Sequence, residues 1–176
     1  EYTWLRNSMN EYINFWNITE DALEYAMETL NMKNEELKNK LLDLYLKLEA
    51  YPEVEKVLIQ LKKEGYQTGI LSNGSEEMLA SAVKNAKLEN LLDKVLSVEK
   101  CKVYKPSSKV YDLVEKEFKI NKINCAFFSS NAWDMHAAAH YGFKTIWVNR
   151  FEGNLEKLPG KPYKIVQTLE KIVDIL

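Results

Sequence analysis

Three short polar clusters hold the side chains that could act on a small molecule. The first is Leu71-Ser72-Asn73-Gly74, where a hydroxyl, an amide and turning backbone N–H groups follow an apolar run. Such groups suit a small anion or a carboxylate. A turn followed by a helix cap explains the same Ser-Asn-Gly-Ser equally well. The second cluster is Lys105-Pro106 through Tyr111. Proline biases the residue before it towards extended backbone, so the Lys105 ammonium projects from a fixed loop and can offset charge developing in a reaction. A lone Lys-Pro is also what a surface lysine looks like. Tyr111, near the start of the next helix, either turns its hydroxyl back to that loop or packs. The third cluster is Ser129-Ser130-Asn131-Ala132-Trp133-Asp134, with hydroxyls, an amide and a carboxylate directly after a hydrophobic strand. Asp134 falls in the first turn of the next helix, where the dipole favours its charged form. Asn131 as an N-cap accounts for one polar group there, not four.

His136 and His140 stand four residues apart on the same expected helix. No H-E-x-x-H acid accompanies them, and the alanines between them suit close helix packing, so they read as structural or exposed residues and not as metal ligands. Cys101 and Cys125 fall in no C-x-x-C or Cys/His pattern, which fits a reduced, cytoplasmic protein.

Positioning these clusters is the task of two different patterns. Residues 1–48 read as helices only. Tyr2, Leu5, Met9, Tyr12, Ile13 and Trp16 recur at three- and four-residue steps, marking one helical face. Thr19 is expected to cap a second helix and Asn34 a third, which carries Leu37, Leu41, Leu44, Tyr45 and Leu48. After Tyr51-Pro52 the chain alternates helix and strand, with strands expected at 66–71, 125–129 and 143–148 and a possible short one at 94–98. Helices are expected from Pro52 to Gly65, from Ser75 onwards, over 109–118, over 132–141, and in the tail through Ile165, Leu169 and Val173. That alternation predicts an α/β fold, a parallel sheet with helices on its faces, plus a small helical subdomain over 1–48 and a core over 49–176. Ligands of such sheets bind beyond the carboxyl ends of strands, where two of the three clusters fall.

Composition excludes several classes. At 46% hydrophobic and 11% aromatic, the 176 residues can bury a real core. With 24 basic and 26 acidic residues and a net charge of −2, nothing favours nucleic acid or an anionic membrane as partner. No apolar run approaches the length that spans a bilayer, and no signal segment is present. The opening Glu1-Tyr2-Thr3-Trp4 has no initiator methionine and starts directly in a helical pattern, which reads as a shortened or processed form. Three strong strands are also few for a doubly wound sheet.

The order and spacing of Ser-Asn-Gly-Ser, Lys-Pro-x-x-x-Val-Tyr and Ser-Ser-Asn-Ala-Trp-Asp resemble the motifs of the L-2-haloacid dehalogenases of the haloacid dehalogenase (HAD) superfamily. Glu-Tyr-Thr-Trp-Leu-Arg is similar to the opening of that family's helical cap, so the resemblance covers essentially the whole chain. It implies a HAD-like Rossmannoid core with a cap, no metal and no cofactor, because an amide at Asn131 replaces the acid that Mg²⁺-dependent HAD phosphatases carry. It further implies hydrolysis of a small 2-haloacid, with release of halide, through an ester on an aspartate. By that resemblance Ser72 would bind the substrate carboxylate and Asn73 would lie near the halide. Lys105 would offset the nucleophile's charge with Tyr111 in support. Ser129, Asn131 and Asp134 would orient nucleophile and water, while Trp133 and Phe15 line the pocket. The family's nucleophilic aspartate precedes the cap, in an Asp-x-x-x-Thr pattern that has no counterpart here. Asp21, Asp43, Asp93, Asp112 and Asp174 do not match it. The chain alone is therefore expected to lack its first strand and to show no turnover. The apolar cap helices would suit a homodimer. Two other readings stay open: a HAD phosphatase, and a non-catalytic subunit that binds another chain through the open sheet.

Overall fold

The computed structural model describes residues 1–176. Its N-terminal third is helical. Helix α1 (Tyr2–Met9) ends where Asn10 adopts left-handed backbone, φ 58°. Helix α2 (Phe15–Thr29) restarts at Asn14, whose side chain accepts from the Asn17 amide at 2.9 Å. The apolar residues from Tyr2 to Trp16 are therefore divided between two helices and the connection that carries Tyr12 and Ile13, since Asn is among the residues that most readily take αL and serve as N-caps. Thr19 does not cap a helix. It lies buried inside α2 and its hydroxyl donates back to the Phe15 carbonyl at 2.8 Å. Helix α3 (Glu35–Leu44) does begin at the expected cap, with Asn34 accepting from the Leu37 amide at 3.0 Å.

Helix α4 (Val54–Lys63) is stopped by Gly65 at φ 84°, a backbone state that glycine adopts without strain. Strand β1 (Gly69–Ser72), helix α5 (Glu76–Asn85) and strand β2 (Lys94–Ser97) follow. β1 and β2 pair in parallel, Gly69 opposite Lys94 through Ser72 opposite Ser97. Helix α6 (Ser108–Phe118) leads to strand β3 (Ala126–Ser129), helix α7 (Ala132–Tyr141) and strand β4 (Lys144–Val148). β4 lies between β3 and a last strand, β5 (Lys164–Val166), again all parallel. Thr145, Ile146, Trp147 and Val148 are all buried, as a central parallel strand requires.

The tail departs from expectation. In place of a closing helix it forms β5 and a short 3₁₀ turn at Val173–Ile175. Gly160 and Pro162 interrupt any helix upstream, and the free edge of β4 offers Lys164–Val166 a ladder to complete.

The expected α/β fold with parallel strands and helical crossovers is present, divided into a two-stranded and a three-stranded sheet. β1 and β3, whose ends carry two of the polar clusters, do not pair with each other. Leu96, Tyr111, Leu113, Val114, Ala138 and Phe143 bind β2, α6 and α7 into one apolar cluster. A second cluster, Ile18, Val98, Tyr104 and Val110, seats the N-terminal helices on the core. Behind β3, Val57, Leu61 and Ile172 hold α4 against the tail. Arg150, after β4, is tied to Glu53 at the head of α4 by a 2.5 Å ion pair.

The segment before β5 braces α7. Gly160 accepts a hydrogen bond from His136 Nδ1 at 2.8 Å, and a Cβ on Gly160 would press on the His136 carbonyl and come 2.8 Å from the His140 amide. Its φ of 81° adds strain for any other residue. Gly160→Ala is expected to destabilise the fold by about 2 kcal/mol or more, by combined strain and overpacking. Urea denaturation checks this, and a loss below about 0.5 kcal/mol would show that the loop moves aside at little cost.

Candidate active site

The strand ends decide where the polar clusters meet. β1 delivers Leu71, Ser72 and Asn73, β3 delivers Ser129, and the first turn of α7 delivers Asp134. Lys105, from the loop before α6, reaches between them. Its Nζ donates to the Leu71 carbonyl at 2.8 Å and to Asp134 Oδ2 at 2.9 Å. The two side chains are only 6% and 7% exposed, so this is a buried ion pair. Lys105 is thus not a surface lysine. Burial pulls its ammonium below the ordinary lysine value, and the Asp134 carboxylate acts in the opposite direction. The Phe127 ring, 5.0 Å from Nζ, adds a cation–π contact.

Asp134 is held on every side. Ser129 Oγ donates to Oδ2 at 3.1 Å, and the Tyr111 hydroxyl donates to Oδ1 at 2.8 Å. Tyr111 is fully buried behind the carboxylate among Phe127, Tyr141 and Phe143. Burial first, and then the Asp134 charge, push its phenol well above the ordinary tyrosine range, so it stays a donor.

The other predicted residues surround a cavity of about 1280 Å³ between the N-terminal helices and the strand ends. Ser72, Asn73, Ser129, Asn131, Trp133 and Phe15 all line it. Lys105 and Asp134 are at its floor, while Tyr111 supports that floor without lining the cavity. The turn reading of Ser-Asn-Gly-Ser holds as well. Ser72 Oγ accepts from the Gly74 amide at 3.1 Å, and Ser75 caps α5. Asn73 does more than turn the chain, because its Oδ1 accepts from the Lys105 amide at 3.0 Å. Asn131 occupies the N-cap position of α7 but makes no side-chain cap bond, so its amide is exposed at the cavity. Trp133 meets Trp4 of α1 edge-on, with centroids 5.6 Å apart.

His136 is buried against Gly160 and His140 is exposed. No three His, Cys, Asp or Glu side chains converge as a metal site requires.

Comparison with known proteins accounts for this arrangement. The family profile described as haloacid dehalogenase-like hydrolase matches residues 4–148. The chain belongs to the haloacid dehalogenase-like hydrolases. An (S)-2-haloacid dehalogenase of Pseudomonas fluorescens is 40% identical over 173 residues, 98% of this chain and 76% of that protein. The crystal structure of a dehalogenase superposes with a TM-score of 0.96 at 36% identity, covering 99% of this chain and 78% of the other. The L-2-haloacid dehalogenase of Xanthobacter autotrophicus, solved with chloropropionic acid covalently bound, superposes at 0.90 with 29% identity, covering 99% and 80%.

In this haloacid dehalogenase-like hydrolase, residues without a sequence motif also reach the site. Asn7 and Tyr104 carry no motif, yet they join the helices to the Lys105 loop. Trp4 reaches the cavity from a helix read only for its packing face. The backbone carbonyl of Leu71 leaves no trace in residue type at all.

Asp134→Asn keeps the shape but leaves the Lys105 ammonium buried without a counter-charge. It is expected to cost roughly 3–5 kcal/mol, against about 1–1.5 kcal/mol for Tyr111→Phe. The double variant should lose less than the sum, because Tyr111 no longer has a charged acceptor. Urea denaturation of the three proteins gives the cycle, and strict additivity would show that Tyr111 and Asp134 act independently.

Proposed function

We propose that the protein hydrolyses small (S)-2-haloalkanoic acids to 2-hydroxy acids through an ester on a carboxylate, with the helices of residues 1–48 forming a cap over the core of residues 49–176. The observation that carries this is the buried Lys105 ammonium, held between the ends of β1 and β3 beside Ser72 and Asn73. Its setting is a chain 40% identical to an (S)-2-haloacid dehalogenase.

A carboxylate attacks C2 of the haloacid, the new C–O bond forms, and the halide leaves with the C–X electron pair. Water then adds to the ester carbonyl and returns the free carboxylate and the 2-hydroxy acid. Splitting the displacement this way is the general advantage of nucleophilic catalysis. Ser72 binds the substrate carboxylate, and Asn73 lies beside the departing halide. Lys105 offsets the attacking carboxylate's charge, and Tyr111 supports Asp134 in holding Lys105 in place. Ser129, Asn131 and Asp134 orient the carboxylate and the hydrolytic water. Trp133 and Phe15 form the apolar wall.

Neither carboxylate on the cavity wall is suited to the attack. Asp134 is committed to Lys105, Tyr111 and Ser129, and Glu1 is exposed at the head of α1. The unpaired edges of β1 and β3 suggest where an extended segment would bring the attacking group beside Lys105. No helix is long and apolar enough to cross a membrane, and a reduced cytoplasmic setting agrees with free Cys101 and Cys125. Exposed Met9, Leu30 and Leu44 on the cap helices would suit a homodimer.

Chloride release from (S)-2-chloropropionate by the protein with its attacking carboxylate in place, with the (R) isomer as control, tests the reaction. Phosphate release that depends on Mg²⁺, with no chloride, would replace it with a phosphatase. The pH profile tests Lys105. An ammonium that must stay charged, with its pKa below 10.5, places the alkaline limb of kcat/KM below pH 10.5. Lys105→Arg should slow the reaction and move that limb beyond about pH 12, where guanidinium remains protonated. An unmoved limb would assign it to another group.

A further inference from the structure

We infer that Asn7 is a positioning residue for Lys105, and that seating α1 on the core and aligning the Lys105 ammonium are one event. Asn7 Nδ2 donates to the Tyr104 carbonyl at 2.8 Å, and the Tyr104 amide donates to Asn7 Oδ1 at 2.9 Å. One side-chain amide thus pairs with both peptide groups of the residue next to Lys105, from 97 positions away in sequence, while the Tyr104 carbonyl also accepts from the Ser107 amide at 3.0 Å. The next peptide amide, of Lys105 itself, is taken by Asn73 Oδ1 at 3.0 Å. Two asparagines, one from α1 and one from the turn after β1, therefore clamp consecutive backbone groups of an otherwise irregular loop.

The clamp is reinforced at the Tyr104 side chain. Its hydroxyl donates to the Ile13 carbonyl at 2.5 Å, between α1 and α2, and its ring stacks on Tyr12. Only a side chain with a donor and an acceptor side by side matches an N–H and a C=O of the same residue. Asp keeps the acceptor and sets a charge against the Tyr104 carbonyl, and Ala removes both groups. Asn7 does not line the cavity, so it can act on the reaction only through the loop. Lys105 has to meet Leu71 O and Asp134 together, and a small shift of its backbone breaks that geometry. An aligned charge is lost steeply with displacement.

The kinetic part rests on the dehalogenase reading, and the exchange part does not. Asn7→Ala, Asn7→Asp and Met27→Ala are compared with the parent protein. Met27 is buried in α2 and does not belong to the apolar cluster around Tyr104, so its truncation loosens the helices without removing a Tyr104 contact of that cluster. Asn7→Ala is expected to lower kcat for (S)-2-chloropropionate roughly tenfold with KM within about twofold, and Met27→Ala to leave kcat within about twofold. Hydrogen exchange at the Tyr104 and Lys105 amides should accelerate in Asn7→Ala, and at Lys105 in Asn7→Asp, with the Met27 variant unchanged at both. The Lys105 side-chain titration, followed by ¹⁵N NMR, should shift in both Asn7 variants. Equal kcat losses for Asn7→Ala and Met27→Ala, or a change confined to KM, would overturn the assignment. If the protein with its attacking carboxylate in place releases no halide, the dehalogenase reading fails. The clamp is then judged by exchange and titration alone, and unaltered values in the Asn7 variants overturn it. Should Asn7→Ala not fold, Asn7→Asp carries the same comparisons.

Discussion

The buried pair of Lys105 and Asp134 is the constraint to which the rest of the structure answers. Taking two charges out of water costs several kcal/mol per ion, and attraction between them offsets that only when the remaining hydrogen-bonding positions are filled. Here the Leu71 carbonyl, Ser129 and Tyr111 fill them. Those groups come from β1, β3 and α6, while the pair itself spans the α6 loop and α7. The ends of two sheets that share no ladder are thus joined by a polar knot. The apolar core explains how that knot stays in register. β4 lies buried between β3 and β5, α7 packs back on it, and the Tyr111 ring is wedged among three aromatic neighbours.

The cavity above the pair is built from unlike halves. Its floor and core rim carry Lys105, Asp134, Ser72, Asn73 and Asn131, and its roof carries Tyr2, Trp4, Phe15 and Ile18 from the first two helices. An apolar roof over a fixed charge keeps the effective dielectric low and strengthens each interaction below it. Trp4–Trp133 and Phe15–Tyr104 are aromatic pairs that bridge roof and core. Such aromatic pairs add about 0.5–1.5 kcal/mol each beyond area burial to the seating of the helices on the core.

Much of this was legible in the sequence, and the reasons differ by residue. Period and punctuation located most of the helices and four of the five strands, because Gly65, Gly142 and the apolar runs of β3 and β4 are local signals. β5 was not legible: Lys164–Val166 is too short to signal itself and forms because β4 has an edge to fill. Thr19 misled because capping preference is stated for a position, and Asn14 claimed that position first. At the site, residue types announced Ser72, Lys105 and Asp134, and the spacing of the three clusters pointed to one plan. The division of labour among them was not visible. That Tyr111 stands behind the carboxylate, that Asn73 grips the Lys105 backbone, and that Asn7 does the same from a helix all depend on contacts distant in sequence. An asparagine at the middle of a short amphipathic helix has no sequence mark that separates it from a solvated one.

The pair also explains why a lysine in this position carries a permanent partner. On the proposed dehalogenase reading, a carboxylate that attacks beside Lys105 arrives with one negative charge and, once esterified, has none. With Lys105 alone, the ester stage would leave an isolated ammonium in a site only a few per cent exposed, the most costly electrostatic state available to a protein interior. Asp134 removes that state. Counting the attacking carboxylate, Lys105 and Asp134 alone, the group carries one negative charge before esterification and none after it, so the buried lysine is never left uncompensated by the protein. Asp134 can serve in this way because its own oxygens are already engaged by Tyr111 and Ser129 as well as Lys105, which keeps it from swinging towards the ester carbon in place of water. The same three bonds that stabilise the fold therefore keep a counter-charge beside Lys105 whether or not a second carboxylate is present.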